Sequence, residues 1–160
     1  MKDSEAFLFD SAYFYLKFRP RTKKEITTYL TKKCQKKKIE SSLVDRVINR
    51  LEVQKFVDDK EFIKWFVEQR NSGKPKSTFV LEGELLRLGI EKDLIVSYFE
   101  SHTQNEEELA YKALQPKWHR LNLFSNKDRF RKAVAFLARR GFSFDTIKKT
   151  IEKMGKKEYL

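Results

Sequence analysis

One cysteine, Cys34, stands in a chain of 160 residues. A single thiol closes no internal disulfide and excludes a cysteine-based zinc site, so a reducing cytoplasm is the expected compartment. Five glycines and three prolines are few, which fits long helices joined by short turns. The glycines are scattered, so they build no phosphate-cradling loop and no nucleotide cofactor is expected. The two histidines, His102 and His119, lack a paired acid motif and make no metal site. No apolar run approaches the ~18–20 residues of a membrane span. The N-terminus alternates Lys2, Asp3 and Glu5 with short apolar runs, which is not a signal peptide.

What the chain has instead is positive charge and phenylalanine. Lys and Arg number 35 against 23 Asp and Glu, a net charge of +12. That excess predicts a polyanionic partner. Apolar residues make up 40% and charged residues 36%, so a core exists but is thin and divided.

Hydrophobic spacing predicts helices throughout. The stretch Phe56 to Arg70 is the clearest. Asp58 with Glu61 reads as an N-cap and its third helical residue, and Phe62, Trp65, Phe66 and Gln69 recur on one face. A first helix covers Ser4 to Phe18, with Phe7, Tyr13, Phe14, Leu16 and Phe18 inward, and ends at Arg19-Pro20-Arg21. Thr22 with Glu25 caps a helix from Lys23 to Lys33 carrying Ile26, Tyr29 and Leu30. A basic loop follows, and Ser42 with Asp45 caps a third helix carrying Leu43, Val44, Val47, Ile48 and Leu51. Further helices are expected at Lys76 to Leu88 and Glu91 to Ser101. Another starts after an Asn105 cap and is kinked or broken at Pro116. The last two run from Lys127 to Arg140, with Phe130, Val134 and Leu137 inward, and from Asp145 to Met154, closed by Gly155. A tail from Lys156 to Leu160 remains.

The order repeats. Gly89, Ile90, Asp93 and Ile95 align with Gly141, Phe142, Asp145 and Ile147 at an offset of 52, and Ile39, Leu43 and Val44 sit 51 before Ile90, Leu94 and Ile95. The first copy replaces the Gly turn with a longer, Lys-rich loop. A recurring three-helix unit of this length predicts an all-α tandem array, with repeats at 1–57, 58–104 and 105–160. Charge follows the repeats: 14 basic and 7 acidic residues in the first, 7 and 9 in the second, 14 and 7 in the third. The sixth helix presents Glu91, Asp93 and Glu100, which phosphates would repel, so the middle repeat is not expected to read a major groove as the last helix of a helix-turn-helix does. The basic end repeats suit phosphate contact rather than base reading.

Several residues invite sharper roles. Cys34 lies among lysines, which would lower its pKa, but no partner at dyad spacing makes it a nucleophile. Asp58 and Asp59 resemble a cation-holding pair, yet capping accounts for Asp58. Trp65 and Phe62 have core periodicity. Trp118, beside Pro116, Lys117, His119 and Arg120, fits a core face less well and is the candidate for an exposed aromatic contact.

Taken in order, a set of motifs resembles the RecX family, regulators of the RecA recombinase. They are Arg19-Pro20-Arg21-Thr22 with Glu25, Phe56-Val57-Asp58-Asp59 with Phe62 and Trp65, Arg70 with Gly73 and Pro75, Gly89-Ile90, and Phe136-Leu137-Ala138-Arg139-Arg140-Gly141-Phe142. The chain departs from the family pattern at Cys34 to Ile39 and at Lys74 to Thr78. The resemblance implies an elongated all-helical molecule of three three-helix repeats. It implies a monomer that binds in the groove of the RecA nucleoprotein filament and inhibits ATP hydrolysis and strand exchange without catalysis. Roles in homologous recombination, DNA repair and the SOS response follow from it, with weak, non-specific affinity for single- or double-stranded DNA. The candidate filament- and nucleic-acid-binding residues are Arg19, Arg21, Lys23, Lys24, Lys32, Lys33, Lys36, Lys37 and Lys38 in the first repeat. Arg70, Lys74 and Lys76 follow in the second, and Arg139, Arg140, Lys148 and Lys149 in the third. The alternative is a repeat-type, transcription-factor-like protein acting directly on DNA. A plain protein-interaction array would show no salt-sensitive binding to nucleic acid.

Overall fold

A computed structural model of the chain describes residues 2–158, and the side chains of 2–156. The described residues form nine α-helices and no strand: α1 (Lys2–Leu16), α2 (Lys23–Lys37), α3 (Ser42–Val53), α4 (Asp59–Ser72), α5 (Thr78–Arg87), α6 (Lys92–Ser101), α7 (Glu106–Leu121), α8 (Asn126–Arg139) and α9 (Phe144–Glu158). The chain is an all-α helical repeat array. Its residues divide into two compact units. One joins the described part of Met1–Phe66 to Leu85–Tyr98, and the other joins Val67–Glu84 to the described part of Phe99–Leu160.

In the first unit α1, α2 and α3 pack on one another. The core is Leu8 and Ala12 of α1, Ile26, Leu30 and Cys34 of α2, the Leu43, Val44, Val47, Ile48 and Leu51 stripe of α3, and Val57. The expected inner face of α1 is therefore turned. Phe7, Tyr13, Phe14 and Phe18 are exposed, while Leu8 and Ala12 are buried. A helix of this kind keeps one stripe inside. The smaller Leu and Ala let α1 sit close to α2 and α3, and the rings ride outside that contact.

In the second unit α7, α8 and α9 pack on one another around Leu109, Leu114, Trp118, Ala133, Phe136, Leu137, Phe142, Ile147 and Met154. Trp118 is 6% exposed, so the expectation of an exposed contact there is overturned. The α7 helix runs unbroken through Pro116, which carries Trp118 round to the core. Phe130, expected inside, is 41% exposed. Glycine does not close the last helix: α9 continues past Gly155 to Glu158. Of the expected tail, Tyr159 and Leu160 lie outside the described residues.

The same turn occurs three times. The α2, α5 and α8 helices each end in a left-handed or glycine turn, followed by an apolar residue whose N–H reaches back to the carbonyl five residues earlier. These bonds are Ile39 N–H to Cys34 O at 3.0 Å, Ile90 N–H to Leu85 O at 3.2 Å and Phe142 N–H to Leu137 O at 3.2 Å. This is the Schellman pattern, which satisfies carbonyls left open at a helix end. Gly89 and Gly141 sit at φ +87° and +86°, and Lys38 takes the equivalent place at φ 54°. The first turn is thus neither longer than the others nor a loop of lysines. Lys32 to Lys37 are helical, and only Lys38 turns.

Each unit also contains the same joint. In the first, Thr22 caps α2 in a full capping box with Glu25, and its Oγ1 donates to Leu88 O at 2.7 Å. The Lys23 N–H donates to Asp59 Oδ1 at 2.9 Å, and Gly89 lies against the Lys24 side chain, so close that a Cβ would fall 2.2 Å from Cδ. In the second, Ser77 Oγ accepts from Val80 N at the start of α5, and Ser77 N donates to Arg140 O at 3.0 Å. Thr78 N donates to Glu106 Oε1 at 2.9 Å, and a Cβ on Gly141 would meet Val80 Cγ2 at 2.2 Å. Leu88 and Arg140 are again 52 apart. In both joints, a hydroxyl residue and a distant carboxylate together satisfy the N–H groups that the first turn of a helix leaves open.

Candidate functional site

The α2 helix begins at a well-capped end and carries lysines at four-residue steps, which places them on one ridge. Lys24, Lys32 and Lys36 occupy that ridge with Thr28, and all three lysines are exposed. Lys37 closes the helix and Lys38 lies just past its end. Beside the ridge, Lys24, Lys32, Arg87, Tyr15 and Tyr29 line a hollow of about 290 Å³. Tyr15 and Tyr29 stack with centroids 4.2 Å apart. The Arg21 guanidinium lies 4.0 Å over Tyr15 and the Lys33 ammonium 5.2 Å from Tyr29. Arg87, Tyr15 and Tyr29 were not foreseen as site residues. The four-residue stride of Lys24, Lys32 and Lys36 was a readable signal, whereas nothing in the sequence brings Arg87 to them.

Apart from Lys33, which lies against Tyr29, and Arg140, the predicted cations fall into two groups. The first are held by carboxylates of the same unit. Arg19 and Arg21 meet Glu25, and Lys23 pairs with Glu52 at 2.9 Å. Arg70 and Lys76 converge on Glu84, and Lys149 lies 3.1 Å from Asp145 and 3.4 Å from Glu107. The hydrogen bond to Glu52 holds the Lys23 ammonium above its usual pKa, and the bond to Asp145 does the same for Lys149. Burial pushes Glu84 up, but the hydrogen bonds from Lys76 and Arg70 outweigh it and leave that carboxyl below the usual range. These cations brace the fold, and part of their charge is already neutralised.

The second group carries uncompensated charge. Lys24, Lys32, Lys36, Lys37, Lys38, Lys74, Arg139 and Lys148 have no carboxylate within 4.0 Å among the described residues and are exposed. Arg140 is different: its guanidinium donates to Pro75 O at 3.2 Å and lies over Phe136, and burial lowers its pKa. Its placement is that of an internal strut. Cys34 is buried, and burial raises its thiol pKa, which corrects the expectation of a lysine-activated thiol. Cys34 packs in the core of its unit.

Asp58 caps α4, accepting from Lys60 N at 2.9 Å and Glu61 N at 3.3 Å. Asp59 accepts from Lys23 N, and its burial raises its carboxyl pKa. The pair therefore serves two helix ends. Ser42 is not the cap of α3: that place belongs to Ser41, which makes no side-chain cap bond, and the Ser42 hydroxyl donates to Glu40. Glu91, just before α6, and Asp93, Ser97 and Glu100 on it are exposed.

No described helix is long and apolar enough to cross a membrane. Residues 105–151 match the family model described as RecX, third three-helix domain. A "Regulatory protein RecX" of Bacillus pumilus is 34% identical over 147 residues, covering 90% of this chain and 54% of that protein. The chain thus spans about half the length of that relative. The "Regulatory protein RecX" of Chlorobium phaeobacteroides is 27% identical over 148 residues, covering 91% of this chain and 92% of that one. A solved structure, RecX from Lactobacillus salivarius, superimposes with a TM-score of 0.76 at 20% identity, over 97% of this chain and 99% of that one. By its third-repeat match, its relatives and its fold, this chain belongs to the RecX family.

Proposed function

We propose that this chain is a non-enzymatic regulator of the RecA recombinase that binds in the groove of the RecA–DNA filament and inhibits its ATP hydrolysis and strand exchange. It acts as a monomer in the cytoplasm, in recombination, repair and the SOS response. Its three repeats span 1–57, 58–104 and 105–160. Support for those boundaries comes from the turn shared by α2, α5 and α8 and from the recurring joint. Family membership carries the functional reading. The uncompensated lysine ridge of α2 supports basic end repeats lying near DNA phosphates, where neutralising the backbone releases counterions. The exposed acids of α6 disfavour a transcription-factor-like middle repeat seated in a duplex.

The test is RecA ATPase on single-stranded DNA, titrated with this protein, alongside a Lys36→Glu, Lys37→Glu, Lys38→Glu variant. The expected result is loss of ATPase with the wild type, and weaker filament binding with a flatter salt dependence for the variant. ATPase indifferent to the wild type, with sequence-specific binding to bare duplex, would replace this reading by direct action on DNA.

A further inference from the structure

The turn between α7 and α8 is tight. Asn122 N–H donates to His119 O and Phe124 N–H to Leu121 O, both at 3.2 Å, and Ser125 Oγ accepts from Asp128 N at 3.3 Å to start α8. Leu123 is therefore held outward by a bonded turn. It is 89% exposed, the highest value for any large apolar side chain among the described residues, and Phe124 beside it is 44% exposed. A lone exposed leucine is ordinary; its surroundings here are not. From 120 to 132 there are five Lys and Arg and one acid, Asp128, which already pairs with Arg131 at 2.7 Å. Arg120, Lys127 and Lys132 are exposed and meet no carboxylate within 4.0 Å among the described residues. The Lys132 ammonium lies 4.5 Å from the Phe124 centroid, a contact that orients a cation without neutralising it. An apolar tip thus stands directly among free cations from both helices.

We infer that this tip docks on the surface of an anionic lipid bilayer, with Leu123 and Phe124 entering the boundary between headgroups and acyl chains and Arg120, Lys127 and Lys132 among the headgroup phosphates. Interfacial binding adds the burial of apolar side chains to the attraction of cations for anionic lipid, and the two together hold where either alone is weak. The tip is the end of a helical hairpin, so it enters a plane without unfolding. A nucleic acid would answer the charge but leave Leu123 in water, because phosphates offer an isobutyl group nothing. A protein would need an apolar pocket cut for this turn and acids facing both helices. A bilayer supplies the apolar layer and the negative charge without a matching shape. No described helix is long and apolar enough to span a membrane, so the contact is with the surface. The inference goes beyond the proposed function and does not depend on RecA.

The experiment uses the full chain, without RecA, and flotation with vesicles of phosphatidylglycerol and phosphatidylcholine in equal parts or of phosphatidylcholine alone. The anionic vesicles are expected to bind the chain at least about tenfold more tightly. Leu123→Ser weakens that binding by about tenfold, as withdrawal of one leucine side chain from an apolar layer requires. The side chain is almost wholly exposed, so this variant keeps its helical circular dichroism. Arg120→Gln with Lys127→Gln weakens binding by about 25-fold at low salt, at roughly fivefold per cation, and this effect fades as salt is added. In Leu123→Trp, the indole emission moves to the blue on anionic vesicles and is quenched by brominated acyl chains, with the wild-type spectrum as the blank. Leu123→Ser is expected to bind an oligothymidylate as the wild type does. Equal binding to both kinds of vesicle overturns the inference. Unchanged affinity in Leu123→Ser, or an unmoved emission in Leu123→Trp, assigns adsorption to charge alone and overturns it too. An equal loss of oligothymidylate and vesicle binding in Leu123→Ser gives the tip to nucleic acid instead and has the same result. A wild type that inhibits RecA yet ignores anionic vesicles sinks this inference alone. One that binds them but leaves RecA untouched sinks only the proposed function.

Discussion

Replacing Gly141 by alanine tests the joint in the second unit. Gly141 sits at φ +86°, and a Cβ there would lie 2.2 Å from Val80 Cγ2 and 2.4 Å from Ser77 Oγ. Two costs follow. A left-handed conformation costs an L-residue with a side chain about 1–2 kcal/mol. Forcing a methyl into a filled space adds about 1–3 kcal/mol. Ser77 cannot simply withdraw, because its hydroxyl accepts from Val80 N and its own N–H is bonded to Arg140 O. The expected loss is therefore about 2–5 kcal/mol, a large share of the ~5–15 kcal/mol that holds an ordinary domain. The control is Gly155→Ala. Gly155 lies within α9 with nothing within 4 Å of its would-be Cβ, so alanine there should stabilise by about 0.4–1 kcal/mol by restricting the unfolded chain. Urea unfolding followed by circular dichroism at 222 nm reads both. A Gly141→Ala midpoint matching the wild type would refute the close approach, and with it the joint. A Gly155→Ala loss as large as the Gly141→Ala loss would show that the helix, not the joint, is what alanine disturbs.

Trp118→Ala should cost about 3–5 kcal/mol, as for a large buried ring; a loss under about 1 kcal/mol would return Trp118 to the surface. Asp58→Ala should cost about 0.5–2 kcal/mol through the cap of α4, and an unchanged thermal midpoint would assign that carboxylate to the surface alone. Glu84 is held below its ordinary pKa by Lys76 and Arg70, so its ionised form favours the folded state. That stability is fully present above the unfolded carboxylate pKa of about 4.3 and is lost as pH falls through the lower folded value. In Glu84→Gln, the gap in stability from the wild type should therefore narrow on acidification below about pH 4.5, and a gap independent of pH would dismiss the pair.

Much of the fold was legible because it is local. The Thr22–Glu25 capping box, the Asp58 and Asn105 caps and the α3 stripe each need only a few neighbouring residues, and each is where its spacing put it. The 52-residue offset also survived, since Gly89 and Gly141 occupy the same left-handed turn. The misplacements have physical causes. Lysine repels lysine, so Lys32 to Lys38 read as a loop, yet Leu30 and Cys34 are buried on the same helix and hold it together through Lys37. Periodicity along α1 marked an aromatic face, but it does not say which of two apolar stripes a neighbour covers.

The sequence by itself determined an all-helical array with repeated turns and a strong positive charge, because caps, periods and formal charges are written in adjacent residues. Only the tertiary structure decided which cations are free to meet a phosphate. Glu52 and Glu84 reach their partners through packing, as does Glu107 with Lys149, while Lys24, Lys32 and Lys36 stay exposed with no carboxylate within 4.0 Å among the described residues. Ion pairs act over a few ångströms, and sequence distance does not reveal which charges come that close.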